Sequence, residues 1–333
     1  MSNLEGSVDR IAADTGFSGV VRVDRGDDVQ LVKAYGLALR GWSIANTVDT
    51  RFAIASGSKG LTALAVMSLI EEGHLEPSTT ARSVLGQDLP LIDDAVTVEH
   101  LLAHRSGIGD YLDEDIDRPA TDYVMPISVH ELATTEAFLR VLDGSETKFP
   151  PDERFWYCNG GYVVLALIAE RCSGTPFHEL VEQRVCRPAG MVNTAFLRSD
   201  ELPGRTALGY LEADGPRTNV FHLPVRGNGD GGIYSTAADI SAFWTALFAG
   251  RIVPTDRVAE MVLPRSALPG VARYGLGFWL HPSSDVVELE GADAGVSFRT
   301  RHDPNERLTF TVLSNTTDGA WPIADHLGEV LTP

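Results

Sequence analysis

Cysteine is scarce in this chain. The three that occur, Cys158, Cys172 and Cys186, are an odd number without C-x-x-C spacing. A disulfide framework and a structural zinc site are therefore not expected, and a reducing, cytoplasmic setting fits best. Long apolar runs are also lacking: residues 61–70 and 162–169 are the longest, well short of the roughly 20 residues of a membrane helix. The opening "MSNLEGSVDRIAADTGFSG" has neither a basic segment nor an apolar one after it, so no secretory leader is read there. Positive charge is in deficit. With a net charge of −19 and no basic stripe, nucleic-acid and anionic-membrane partners are not expected.

What is present reads as a globular chain of 333 residues, long enough for two parts built as one unit. "FSGVVRVDRGDDVQLVKAYGLA" places two β-rich runs around Gly26-Asp27-Asp28, a hairpin signal. Residues 97–190 read as mainly helical, in "VTVEHLLAHRSG", "SVHELATTEAFLRVL", "GYVVLALIAERCSG" and "PFHELVEQRVCRPAG". From about 205 the pattern changes. "RTALGYLEADGP" suggests a hairpin, and "STAADISAFWTALFAG" a helix capped by Ser235 or Thr236. Short strands follow in "YGLGFWL", "DVVELEG", "VSFRTRHD" and "RLTFTVLSN", with a helix over 320–331. Strands at both ends predict an α/β (α+β) fold: one antiparallel sheet from about 1–60 and 205–333, with a mainly helical region over about 61–204. The chain has no internal repeat and no low-complexity segment.

"RFAIASGSKGLTALAVMSLIEEGHLEP", residues 51–77, reads as a single helix, apolar on nearly every face and hence buried, ending at Gly73. Its first turn carries Ser56 and Lys59, three apart and therefore on one side. A serine hydroxyl is inert until a base takes its proton. A lysine amine is such a base when burial disfavours its charged form. A helix start adds N–H groups for the oxyanion that forms on attack. The bland alternative makes Ser56 an N-cap and Lys59 a surface residue.

With that S-x-x-K segment, four further blocks stand in order: "VTVEHLLAHRSGIGDY", "FPPDERFWYCNGGYVVLALIAERCSGTPF", "GNGDGGIYSTAADISAF" and "YGLGFWL". Together they resemble the serine β-lactamase and penicillin-binding-protein superfamily, in particular class C β-lactamase-like hydrolases and family VIII esterases. The resemblance runs from about residue 17 to the C-terminal region and implies a single β-lactamase/transpeptidase-like catalytic unit over 1–333. It implies Ser56 as nucleophile, and Tyr157 of the Tyr-x-Asn motif as partner base or proton relay to Lys59. Asn159 would contact substrate and lysine. Tyr157 and Asn159 are two apart in what reads as an extended stretch, so both point one way.

The family's third motif, Lys-Thr-Gly or His-x-Gly, is replaced here by Leu289-Glu290-Gly291. Gly291 leaves room for substrate, and the N–H groups of Ser56 and Ala292 are the expected oxyanion donors. Glu290 stands where a substrate carboxylate is often received, so repulsion should favour neutral esters or amides, or an amino group facing Glu290. The expected activity is that of a carboxylesterase-like serine hydrolase working through an acyl-enzyme, with no metal or organic cofactor. A β-lactamase, D-aminopeptidase, D-Ala carboxypeptidase or acyltransferase are the alternatives within the superfamily, and a catalytically silent binding protein the one outside it. The partner is a small ester, amide or lactam; oligomeric state is not legible.

Other motifs carry less. His100 and His104 have the i, i+4 spacing of zinc proteases but lack the glutamate that follows the first histidine, Leu101 standing there. "GNGDGG", residues 227–232, matches a dinucleotide loop by letter alone and reads as a flexible rim near the site. Asn315-Thr316-Thr317 is a sequon without a leader, and there is no G-x-S-x-G elbow.

Overall fold

In the computed structural model, which describes residues 2–116, 119–268 and 272–331, the two ends of the chain meet in one sheet. Its strands are β1 (Gly19–Arg25), β2 (Asp28–Tyr35), β3 (Ser266–Leu268), β4 (Ala272–Tyr274), β5 (Trp279–Leu280), β6 (Val287–Asp293), β7 (Val296–Asp303) and β8 (Leu308–Ser314). They lie in the order β2-β1-β8-β7-β6-β5-β4-β3, each neighbouring pair antiparallel. Strand β8, "LTFTVLS", is buried along its whole length, as a central strand covered on both faces must be. The β1–β2 hairpin turns at Gly26, whose φ of 61° is easily reached only without a Cβ.

Alternation sends successive side chains to opposite faces. Val21, Val23, Phe310 and Val312 pack on helices α1 (Ser2–Thr15) and the C-terminal Trp321–Leu331, through Val8, Ala12, Ile323 and Leu327. Val20, Leu289, Phe298 and Leu313 face the larger core on the other side. That core is built on α2 (Ser58–Glu71), α3 (Asn159–Ser173) and α4 (Ala237–Phe248). Helix α2 is buried from Ser58 to Leu69, which is why apolar residues surround its axis. The Trp244 indole on α4 donates to Thr300 Oγ1 at 3.0 Å, tying this layer to β7. The antiparallel sheet flanked by helices agrees with the α/β expectation.

Several local expectations need correction. The 51–77 segment is not one helix. Phe52–Ala53 pairs with Tyr234–Ser235, Ala55–Gly57 is a 3-10 turn, and α2 begins only at Ser58. It ends as expected, with Gly73 at φ 76°. Residues 128–142 hold only the short turns Val129–Glu131 and Thr135–Phe138 and a four-residue helix, Leu139–Leu142. The carbonyls of Val129 and Leu132 accept from the N–H groups of Val225 and Arg226, which takes them out of a helical ladder. The expected hairpin near 205–216 closes with a Tyr210–Thr218 bridge but forms no ladder. Thr236, not Ser235, caps α4, accepting from Asp239 N.

Phe298 locks the sheet to the turn before α2. It is fully buried, and a Cβ on Gly57 would lie 2.4 Å from its ring. Phe298→Ala should lower unfolding free energy by about 3–5 kcal/mol, read as a lower urea midpoint at unchanged m-value.

Candidate active site

The turn carrying Ser56 is held from several directions. Ile54 N–H donates to Ile233 O at 3.0 Å, and Gly57 N–H to Ile54 O at 2.9 Å. The Ser58 hydroxyl donates to Ala55 O at 2.8 Å and accepts from Ile233 N at 3.2 Å. These bonds keep Ala55, with its Cβ, at φ 44°, a conformation costing roughly 1–3 kcal/mol. Ser56 is consequently no N-cap: it stands one turn ahead of α2, half-exposed at the cavity wall.

Lys59 is 2 % exposed. Its Nζ lies 2.8 Å from Ser56 Oγ, 2.8 Å from Asn159 Oδ1 and 2.7 Å from the Asp230 carbonyl oxygen. The Asn159 orientation follows from its other bonds, because Nδ2 donates to Leu112 O at 3.1 Å and to Glu114 Oε1 at 3.0 Å, both pure acceptors. Two of the three Lys59 neighbours can therefore only accept. A neutral amine has two N–H bonds for them and one lone pair, which is left for the Ser56 hydroxyl proton. Burial pushes the Lys59 pKa down, opposed by the charges of Asp230, Glu114, Asp293 and Asp110.

Tyr157 and Asn159 reach this group from different local structures. Asn159 is the first residue of α3 rather than part of an extended stretch, and Cys158 is the extended N-cap, its Sγ accepting from Gly161 N at 3.3 Å. Asp110 adds further acceptors at this helix start, for Asn159 N at 2.6 Å and Gly160 N at 2.8 Å. Its carboxyl is raised to about 6 by burial, against those backbone donors. The Tyr157 ring centroid is 4.9 Å from Lys59 Nζ, and its phenol shares a hydrogen bond with Ser56. Burial, then the charge of Glu114, pushes the phenol well above its ordinary value, so the neutral form prevails rather than the anion. The His104 ring lies 4.4 Å from the Tyr157 ring, its Nδ1 accepting from Cys158 N at 3.1 Å. Burial keeps this imidazole neutral.

The third wall is β6. Gly291 is required there by close approach: a Cβ would lie 2.6 Å from Ser56 N and 2.4 Å from Ile54 O. Leu289 is buried, reaching the space beside Gly60 on α2, while the next residues, Glu290 and Ala292, line the cavity. The free Glu290 carboxylate expected from sequence is not found. Arg299, directly opposite on β7, donates to it at 2.9 Å and 3.2 Å. A cavity of about 680 Å³ opens over Ser56, Tyr157, Asn159 and Glu290–Ala292.

Sequence reasoning missed several contributors. The 227–232 segment lines the cavity, as expected, but it does more than border it: Gly227–Asp230 are buried, and Asp230 supplies a Lys59 acceptor. Asp110, Glu114 and the ring of His104 were not assigned roles, since only the fold brings 104–114 beside 157–159. His100 and His104 do not share a helix face, because the helix Val98–Leu102 ends between them. Among the described residues no group of three or more His, Cys, Asp or Glu is placed to hold a metal ion.

The family model named Beta-lactamase matches residues 4–329. A penicillin-binding protein structure from Bacillus halodurans superposes with a TM-score of 0.91 at 33% identity, covering 97% of this chain and 100% of that one. A D-aminopeptidase of Brucella anthropi is 28% identical over 322 residues, 94% of this chain and 58% of that protein. An esterase of Burkholderia gladioli is 29% identical over 218 residues, 63% and 54% respectively. The chain thus spans little more than half the length of these two relatives. No helix among the described residues is long and apolar enough to cross a membrane.

The helix cap at Cys158 can be tested separately from any chemistry. Cys158→Ala should cost about 1 kcal/mol of stability, whereas Cys158→Ser, which keeps an acceptor, should leave the thermal midpoint nearly unchanged.

Proposed function

The chain belongs to the beta-lactamase family, and on that footing we propose that it is a serine hydrolase working through an acyl-enzyme on small ester or amide carbonyls. The observation that carries this reading is the Lys59 amine, whose two acceptor-only neighbours leave its lone pair to Ser56. Ser56 Oγ bonds to the carbonyl carbon while its proton passes to Lys59 Nζ. The carbonyl electron pair moves onto oxygen, where the N–H groups of Ser56 and Ala292 receive the charge. As the bond to the leaving alcohol or amine breaks, that group departs with the electron pair and takes a proton from the Tyr157 hydroxyl. The Lys59 ammonium replaces that proton. The oxygen of water then bonds to the ester carbon while its proton passes to Lys59; the carbon–Oγ bond breaks, Ser56 Oγ leaves with the electron pair and takes that proton back, and the acid departs.

An esterase-like preference over lactams is supported by the cavity's charge. Among the described residues, Asp113, Glu114, Asp230, Glu290 and Asp293 line it, against one guanidinium, that of Arg299, which Glu290 and Asp325 engage. The Leu289 position offers no cation. A substrate bearing a carboxylate, as β-lactams do, meets repulsion that desolvation strengthens. Glu290 itself contributes little, its charge being matched by Arg299.

A fluorophosphonate should add one adduct to the intact mass of the wild type and none to Ser56→Ala; a folded wild type that takes no label would overturn the hydrolase reading. Among substrates, kcat/KM should be higher for a neutral p-nitrophenyl ester than for nitrocefin, and the reverse order would refute the esterase preference.

The pH profile follows from the two shifts. Lys59 must be neutral to accept a proton, so kcat/KM rises with pH through its pKa and levels off below the ordinary lysine value of about 10.5. Tyr157 stays protonated beyond 10, so no descending limb from it should appear up to that pH. Lys59→Met should cut kcat at least about 10³-fold with the fold intact by circular dichroism.

A further inference from the structure

Of the five acids among the described residues that line the cavity, four have partners within the protein. Asp113 pairs with Lys148, Glu290 with Arg299, Asp230 accepts from the Tyr111 hydroxyl, and Glu114 from Asn159 Nδ2. Asp293 differs. Among the described residues its side chain has neither a hydrogen bond nor an ion pair, though it lies on the cavity wall one residue beyond Ala292.

Strand geometry puts it on the reactive side. Leu289, Gly291 and Asp293 alternate onto one face of β6; Leu289 meets Gly60 of α2, and Gly291 abuts Ser56 N. Asp293 is two residues, about 7 Å, farther along that face. The charges it feels there are those of Asp230, Glu114 and Lys59, and burial comes first in raising its carboxyl to about 7. The nearby cation, Lys59, already has three hydrogen-bond neighbours, so among the described residues the Asp293 carboxylate has no counter-charge of its own.

Resting on the hydrolase reading above, we propose that Asp293, with Glu114 beside it, is the specificity-determining anchor for a substrate ammonium group within two or three bonds of the scissile carbonyl, as in amino-acid amides and esters. Such a group provides the missing counter-charge while the carbonyl reaches Ser56 and the Ala292 amide. It displaces the earlier expectation, in which an amino group would face Glu290: Arg299 occupies that carboxylate, whereas nothing described occupies Asp293.

The test uses near-isosteric pairs differing in the ammonium alone. Competitive inhibition of p-nitrophenyl ester hydrolysis by alaninamide, in both enantiomers, is compared with inhibition by propionamide at pH 7.5. At least one alaninamide enantiomer should bind about 10-fold or more tightly than propionamide, and Asp293→Asn should collapse that ratio toward 1. Equal inhibition in the wild type, or a ratio unchanged in Asp293→Asn, would overturn the proposal. Should the variant fail to fold, the wild-type ratio is set against that of Glu114→Gln, where loss of the neighbouring charge should reduce it. These ratios report binding and not reactivity, so they stand apart from the fluorophosphonate result: a labelled enzyme with no amine preference refutes only this anchor, and an unlabelled one refutes the hydrolase reading.

Discussion

An amine sealed inside a protein is the feature around which this molecule is arranged. Burial of Lys59 alone would strip it of its proton at a cost of several kilocalories relative to water. The Asn159 amide oxygen and the Asp230 carbonyl stabilise either protonation state by accepting N–H bonds. Carboxylates at 110, 114, 230 and 293 act in the opposite sense to burial by favouring the ammonium. The proposed base is thus poised between two opposed influences. A lone buried lysine would be permanently neutral and weakly placed, and an exposed one permanently charged and useless toward a hydroxyl.

That arrangement requires backbone to come very close to backbone. The 3-10 turn of Ala55–Gly57 is pinned between β6 and the 229–233 segment. Gly291 lets the strand approach within van der Waals reach of Ser56 N, and Gly57 makes the same allowance for Phe298. Strain at Ala55 persists because the hydrogen bonds on both sides of it outweigh the cost. The sheet that supplies β6 is in turn closed by strands from both ends of the chain, β1 against β8. Formation of the reactive turn therefore depends on contacts spanning nearly the whole sequence.

Much of this was legible before any coordinates. Ser56 and Lys59 announce themselves because a charged residue opens a run that is otherwise apolar, and period-2 alternation locates the C-terminal strands. The Gly-Asp turn and a cap at 235 or 236 rest on local chemistry that a single segment contains. What escaped depends on register or on distant pairing. Glu290 looked like an unmatched charge since nothing in "VVELEGADAG" says that Arg299 stands directly across the ladder. The glycine-rich 227–232 stretch has the composition of a mobile loop, yet Gly227–Asp230 are buried because α2 and α3 press on them. The helix expected over 51–77 starts seven residues ahead of α2, because propensity has no means of knowing that Ala55 is forced to a positive φ.

The correction at Glu290 changes the logic of specificity rather than merely relocating a contact. Alternate positions on β6, 290 and 292, face one side, while 289, 291 and 293 face the other, toward α2. Selectivity assigned from the motif's letters falls on the first set, which Arg299 has already neutralised. Selectivity assigned from the strand's geometry falls on the second, where a side chain shares its face with the glycine that abuts the serine. A carboxylate in that second position acts through the same field that tunes Lys59. Any cation drawn to Asp293 also removes part of the negative potential that holds a proton on the amine. If a positively charged substrate binds as proposed, its binding and the readiness of the proposed base are coupled by electrostatics alone, with no movement of the chain required.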